Sequence, residues 1–269
     1  MQKNPRKMSN EAYRAAEGIS ASDFRLLELS PLHYLNRDRF KLEGKAFDFG
    51  TLLHAMVLEP ERMGKEFIKE DFPGCDANKN SKAYKEGREA FLEACKGKTV
   101  VPVNEWETAD RMAENVRAIA GGILREGMAE ASFFTQDEEF GIVRKCRPDY
   151  YLREAGVVID LKTTRSTDPH EFELAIYDYR YHRQAAWYLD TLRLAGFPVE
   201  TFVIVAVEKT TPHLVRVFEI QPDAIEAGRE DYRRHLSRLR EFNTTGAAAV
   251  VEPISLPGWY WRQKEAEAS

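Results

Sequence analysis

Arg147-Pro148-Asp149-Tyr150-Tyr151, followed by Val157-Val158-Ile159-Asp160-Leu161-Lys162-Thr163-Thr164, is the stretch on which the fold turns. Two strand-like runs flank Arg153-Glu154-Ala155-Gly156, a composition suited to a tight reversal. In an extended strand, residues two apart share a face, so Asp160 and Lys162 project together from an otherwise apolar run. A hairpin through 153–156 brings Asp149 alongside them. Converging carboxylates suit a hard cation, and an adjacent ammonium can steady developing negative charge. That equipment fits metal-assisted phosphodiester hydrolysis, and a solvated surface hairpin is the other reading of the same residues.

Working outward, 269 residues suffice for a sizeable core, and 43% hydrophobic with 31% charged residues describes a globular chain. Neither a membrane-length apolar run nor a signal peptide is visible, which leads to the expectation of a cytoplasmic protein. Cys75, Cys95 and Cys146 are too few and scattered for a disulfide framework or a four-cysteine metal cluster. A net charge of −5 does not advertise a nucleic-acid binder, although a local basic groove can coexist with it. Arg144, Lys145, Arg147, Arg180 and Arg183 are candidates for such a groove, with ordinary surface as the alternative for each.

The pattern predicts a loosely ordered segment over 1–19 and a single domain over 20–269. Ser20 to Asp23 should cap a short helix ending at Ser30-Pro31, and 32–39 a second one. Helices are expected over 52–58, 81–96 and 104–120, with an irregular stretch at 66–78 and an extended piece at 99–103. Three strands, 131–136, 142–152 and 157–163, should form an antiparallel meander. Helices at Asp168-Pro169 and over 181–195 precede a strand pair, 201–207 with 214–220, and a long charged helix over 222–242. Trp259, Tyr260 and Trp261 in the tail could pack back on the body or form a subunit contact. Helices first, then a mixed sheet flanked by helices, amounts to an α/β (α+β) core.

Other residues carry two readings each. His54, on an apolar helix, suits a hydrogen-bonded core residue as well as a ligand; an imidazole also favours Zn²⁺ over Mg²⁺ or Mn²⁺. Gln184 and Tyr188 stand one turn apart on one helix face, fit to hydrogen-bond a phosphate or to be a surface Gln and a core Tyr. Glu130 opens the first meander strand and could join the site or face solvent.

Taken together, Gly50-Thr51-Leu52-Leu53-His54, Arg147-Pro148-Asp149, Asp160-Leu161-Lys162-Thr163-Thr164 and Gln184…Tyr188 resemble the RecE-like exonucleases of the PD-(D/E)xK nuclease superfamily. Ile19-Ser20-Ala21-Ser22-Asp23-Phe24 and Leu58-Glu59-Pro60 extend the likeness over about 18–260. It departs in having Asp160 where the superfamily name allows Glu. It also lacks the long N-terminal extension of RecE, so the free-standing nuclease version is expected, and it lacks the iron–sulfur cysteines of other branches.

What the resemblance implies is a restriction-endonuclease-like core and a Mg²⁺-dependent exonuclease, with Mn²⁺ as a substitute. It would degrade the 5′-ended strand of duplex DNA and leave 3′ overhangs for recombination by annealing. His54, Asp149, Asp160 and the Leu161 carbonyl would hold the metal, with Glu130 as a further ligand. Lys162 would position or activate the attacking water and stabilise the transition state. Gln184 and Tyr188 would hold the catalytic helix or the DNA, and Ser22, Arg183 and Arg14 would contact DNA. A ring-shaped homo-oligomer, a RecT-like annealing partner and a phage or prophage origin are implied in the same way. An endonuclease of the same superfamily and a non-catalytic DNA-end-binding module are the alternatives.

Overall fold

The computed structural model describes residues 5–40, 49–75, 77–246 and 254–267. Serine and proline punctuate its N-terminal part. Ser9 caps α1 (Asn10–Ala15), a Ser20/Asp23 capping box precedes α2 (Phe24–Leu29), and Ser30 caps α3 (Pro31–Leu35). Helix α4 (Phe49–Leu58) stops ahead of Pro60. Strands β1 (Phe67–Lys69) and β2 (Thr99–Val101) pair in parallel around α5 (Lys82–Ala94), and α6 (Val103–Ala120) follows. The stretch 66–78 is therefore not wholly irregular. A three-residue strand has little local signal and exists here through a partner some thirty residues away.

The chain then lays down β3 (Met128–Ala129), the hairpin β4 (Phe133–Asp137) and β5 (Ile142–Cys146), and the hairpin β6 (Tyr150–Leu152) and β7 (Val157–Thr164). Helices α7 (Pro169–Asp178) and α8 (Tyr181–Leu194) lead to β8 (Thr201–Glu208) and β9 (Val215–Glu219). Helices α9 (Pro222–Thr245) and α10 (Gly258–Glu267) follow. The central sheet runs β3-β6-β7-β8-β9, parallel only between β7 and β8, and β4-β5 is a separate ladder. The expected single meander is corrected accordingly. The run 142–152 divides at Arg147-Pro148-Asp149 because Pro148 has no N–H for a ladder, and the chain beyond it joins β7 instead.

Strands β7 and β8 are covered on both faces. Val158, Phe202, Ile204 and Ala206 pack with Trp187 and Leu189 of α8 and Tyr232 of α9, and Phe24 of α2 joins them. On the other face Ile159, Leu161, Val205 and Val207 pack with Leu52 and Met56 of α4 and Met112 of α6. Phe24 meets Trp187 edge-on at 4.9 Å, worth about 1 kcal/mol beyond area burial, which fixes the N-terminal helices on α8. The result is the mixed α/β architecture anticipated above.

Residues 5–19 are better tied down than their composition suggests. Arg6 bridges to Ser132 and Ile19 to Arg144. Lys145 Nζ donates to the carbonyls of Tyr13 at 3.1 Å and Ala16 at 2.5 Å, a cation at the C-terminal end of α1.

Candidate active site

The β6–β7 hairpin turns at 153–156, with Gly156 at φ 65°, and pairs Tyr150 with Ile159. One step further along the same register Asp149 stands opposite Asp160. Strand β6 begins only at Tyr150, so the Leu161 N–H lacks a strand partner there, and Asp149 Oδ2 accepts it at 2.7 Å. Asp149 is thus anchored to the strand that carries Asp160 and Lys162. On the α8 face of β7, Asp160 is fully buried. Its Oδ1 accepts from Gln184 Nε2 at 2.7 Å, and its Oδ2 ion-pairs with Lys162 Nζ at 2.6 Å.

From the opposite side α4 delivers His54. Its Nε2 lies 2.8 Å from the Leu161 carbonyl, which can only accept, so the proton sits on Nε2. Nδ1 then faces Asp149 Oδ2 at 3.6 Å and Glu130 Oε1 at 3.8 Å. A metal-binding histidine commonly donates its other ring N–H to a carbonyl in this manner. His54, Glu130 and Asp149 offer donor atoms that all lie within 4.8 Å of one another. Two carboxylates and an imidazole fit a divalent cation; Asp160 is not among these converging donors, its Oδ1 being held by Gln184 and its Oδ2 by Lys162.

The electrostatics describe a site short of positive charge. Burial raises the Asp160 carboxyl, Asp149 raises it further, and despite Lys162 it stands at about 6. Burial alone would lower His54, but Asp149 and Glu130 outweigh it and lift the imidazole to about 9. Lys162 is held above its ordinary range, its burial outweighed by Asp160 and Asp149. It is therefore an ammonium at neutral pH.

Glu130 adopts φ 51°, an unusual conformation for a residue with a Cβ. Two contacts hold it: its N–H donates to Asp149 O at 3.0 Å, and its Oε2 pairs with Arg147 Nε at 2.9 Å. Arg147 is itself fixed by Asn10 Oδ1 at 2.9 Å and lies 4.8 Å from the Tyr13 ring. The Arg147–Asn10–Tyr13 support was missed in sequence. Its one visible signal was an arginine beside the proline of the motif.

Several expected residues stand elsewhere. The Leu161 carbonyl, expected as a ligand, lies 2.8 Å from His54 Nε2 and accepts its N–H. Tyr188 OH donates to Arg147 O at 3.2 Å, so it braces the backbone ahead of Asp149. Arg183 is 5% exposed, its guanidinium held by Glu28 at 3.2 Å and Asp231 at 2.9 Å, and it does not join the site. Ser22 and Arg14 are exposed, and Ser22 Oγ lies 3.0 Å from Ser20 Oγ. The basic groove is also revised. Arg144 is buried on Asp137 at 2.5 Å and against the Trp187 ring, and Lys145 is spent on α1. Arg144 cannot line a groove without breaking its buried pair with Asp137, nor Lys145 without releasing the α1 carbonyls.

No protein of curated function matches the sequence. Among solved structures, a protein of Eubacterium rectale designated a candidate exonuclease shares 14% identity, covering 93% of this chain and 97% of that one, with a TM-score of 0.57. A phage related exonuclease from Haemophilus somnus 129PT shares 12%, covering 88% and 100%, at a TM-score of 0.37. An alkaline exonuclease from Laribacter hongkongensis shares 11%, covering 81% and 100%, at 0.31. Only the first likeness is close enough to speak for the fold. The sequence profile described as a PDDEXK-like domain of unknown function (DUF3799) matches residues 20–251. With that match spanning the hairpin, His54 and Gln184, the chain belongs to the PDDEXK-like DUF3799 family.

Proposed function

We propose that the protein is a divalent-metal-dependent double-strand DNA exonuclease that hydrolyses the 5′-ended strand and leaves 3′ overhangs for strand annealing. One observation carries the chemistry: His54, Glu130 and Asp149 converge on one side of a hairpin whose buried Asp160 holds the Lys162 ammonium at 2.6 Å. The polarity and the annealing role rest on the resemblance to RecE-like exonucleases.

His54 Nδ1, Glu130, Asp149 and Asp160 would hold Mg²⁺, with Mn²⁺ as a substitute. A cation bound there would polarise the scissile phosphate and lower the pKa of water. The remaining work falls to the chain. Lys162, ion-paired with Asp160 at 2.6 Å, would position or activate the attacking water. It donates to phosphoryl oxygens, where negative charge builds up. Gln184 fixes the Asp160 carboxylate, and the Tyr188–Arg147 hydrogen bond fixes the backbone from which Asp149 springs. Exposed Ser22 and Arg14 are left as DNA contacts. The exposed Trp259 and Trp261 of α10 favour a subunit contact, in keeping with a ring-shaped homo-oligomer.

Digestion of linear duplex labelled at the 5′ or the 3′ end, with Mg²⁺, Mn²⁺ or EDTA, tests the proposal. Metal-dependent release of the 5′ label first, with closed circular plasmid spared, is the expected result. Release from the 3′ end would overturn the polarity, and cutting of the closed circle would favour an endonuclease.

A further inference from the structure

The junction between α7 and α8 carries exposed rings that the cleavage centre does not use. Leu174, Tyr177 and Tyr179 are 66%, 64% and 71% exposed, whereas Phe172 of the same helix is buried in the core. Leu174 and Tyr177 stand three residues apart on α7 and so share a face. Arg180 then takes a left-handed turn, φ 58° and ψ 36°, and α8 begins. The Tyr179 and Tyr181 rings stack at 5.6 Å and 23°, and the Tyr181 ring lies 5.1 Å from Lys162 Nζ. Tyr177 stacks on His182 with 3° between the planes and carries the Arg180 guanidinium at 4.8 Å. A series of rings thus runs from the surface at Tyr179, through Tyr181, to the ammonium of the site.

Clustered large apolar groups on a surface mark a binding face. We propose that Tyr177 and Tyr179 form a stacking platform for unpaired bases of the DNA strand whose phosphate lies at Lys162. The inference rests on the nuclease reading above and names how the strand is gripped. Every base presents a π-face, so tyrosine holds single strands without regard to sequence. The occupant follows from continuity. The platform meets the site through Tyr181, and a strand with its bases on the outer rings brings its phosphates toward the Lys162 ammonium, 5.1 Å from the Tyr181 ring.

The test uses the full-length protein and fluorescent single-stranded oligonucleotides in Ca²⁺ or EDTA, one with all its bases and one abasic at successive positions. Wild-type protein should prefer the base-bearing strand. The double substitution Tyr177→Ala/Tyr179→Ala should weaken that strand about tenfold or more and leave the abasic one little changed. Tyr177→Phe/Tyr179→Phe should restore the preference. Equal loss on both strands, or no loss on either, would overturn the platform. So would a wild-type oligomer that dissociates on the alanine substitutions, which would make the face a contact between copies. The two readings fail separately. Preference for the base-bearing strand without metal-dependent cleavage sinks the nuclease assignment, and cleavage without that preference sinks the platform.

Discussion

Gly228→Ala sets local propensity against tertiary packing. In a helix interior, alanine is favoured over glycine by about 1 kcal/mol, so propensity alone forecasts a gain in stability. Gly228 of α9 is buried where the backbone of α8 passes. A Cβ there would lie 2.3 Å from His182 O, 2.6 Å from His182 C and 2.8 Å from Arg183 N. Ordinary contact starts at 3.4 Å, so α9 and the first turn of α8 must part by about 1 Å. Backbone atoms cannot rotate aside, and over-packing of this kind costs about 1–3 kcal/mol. With a 2.3 Å approach to backbone the steric cost belongs at the upper end of that range and wins, leaving a net loss of up to about 2 kcal/mol after the propensity gain. Function should suffer more. Gln184 stands on the displaced turn, and a misplacement of about 1 Å in a positioning group can cost about a hundredfold in rate. Urea unfolding followed by circular dichroism gives the first quantity, and cleavage of end-labelled duplex the second. Gly122→Ala, where an added Cβ meets nothing within 4 Å, serves as the control. A Gly228→Ala protein as stable and as active as wild type would refute the close approach and its link to Gln184.

Other perturbations test the site piece by piece. Lys162→Met should lower single-turnover cleavage by about 10²–10³-fold while DNA binding in Ca²⁺ persists, since one preorganised donor is lost; near-normal cleavage would remove Lys162 from the chemistry. Gln184→Leu leaves Asp160 Oδ1 buried without its donor, which should cost about 1–3 kcal/mol in urea unfolding and slow cleavage as well. Arg147→Met frees Glu130, so the metal concentration for half-maximal cleavage should rise about tenfold or more, and an unchanged metal dependence would count against the Arg147–Glu130 support. Acid stability should respond to Asp231. Burial works to raise this carboxyl, but His235 and Arg183 together hold it well below the usual range. A depressed folded pKa contributes stability above the unfolded value of about 4 that is lost as pH falls below it. Asp231→Asn should therefore be destabilised at pH 7, with the difference from wild type shrinking through acid titration; a gap that stays constant down to the lowest pH would contradict the assignment.

Much was legible in the chain because local chemistry leaves local marks. The 153–156 turn, the apolar Val157–Leu161 run interrupted by Asp160, and the one-turn spacing of Gln184 and Tyr188 are short-range patterns, and each element formed near its expected place. The Gly50…His54, Asp149, Asp160-Leu161-Lys162 and Gln184 set also carries the family resemblance in the sequence itself. What the chain could not reveal were matters decided by partners distant in sequence. Pro148 shows that a ladder must break, but only packing shows that β6 then leaves β5 for β7. Arg144, Lys145 and Arg183 read as candidates for a DNA groove, since charge in a sequence carries no label of burial. Their assignments to Asp137, to the end of α1, and to Glu28 with Asp231 arise from contacts spanning 7 to 155 residues. The same holds for His54, whose ring nitrogens are set apart only when Leu161, 107 residues away, supplies the carbonyl that accepts a hydrogen bond from Nε2. Residue types and periodicity determined what chemistry the protein could carry; three-dimensional packing decided which charges stay free to perform it.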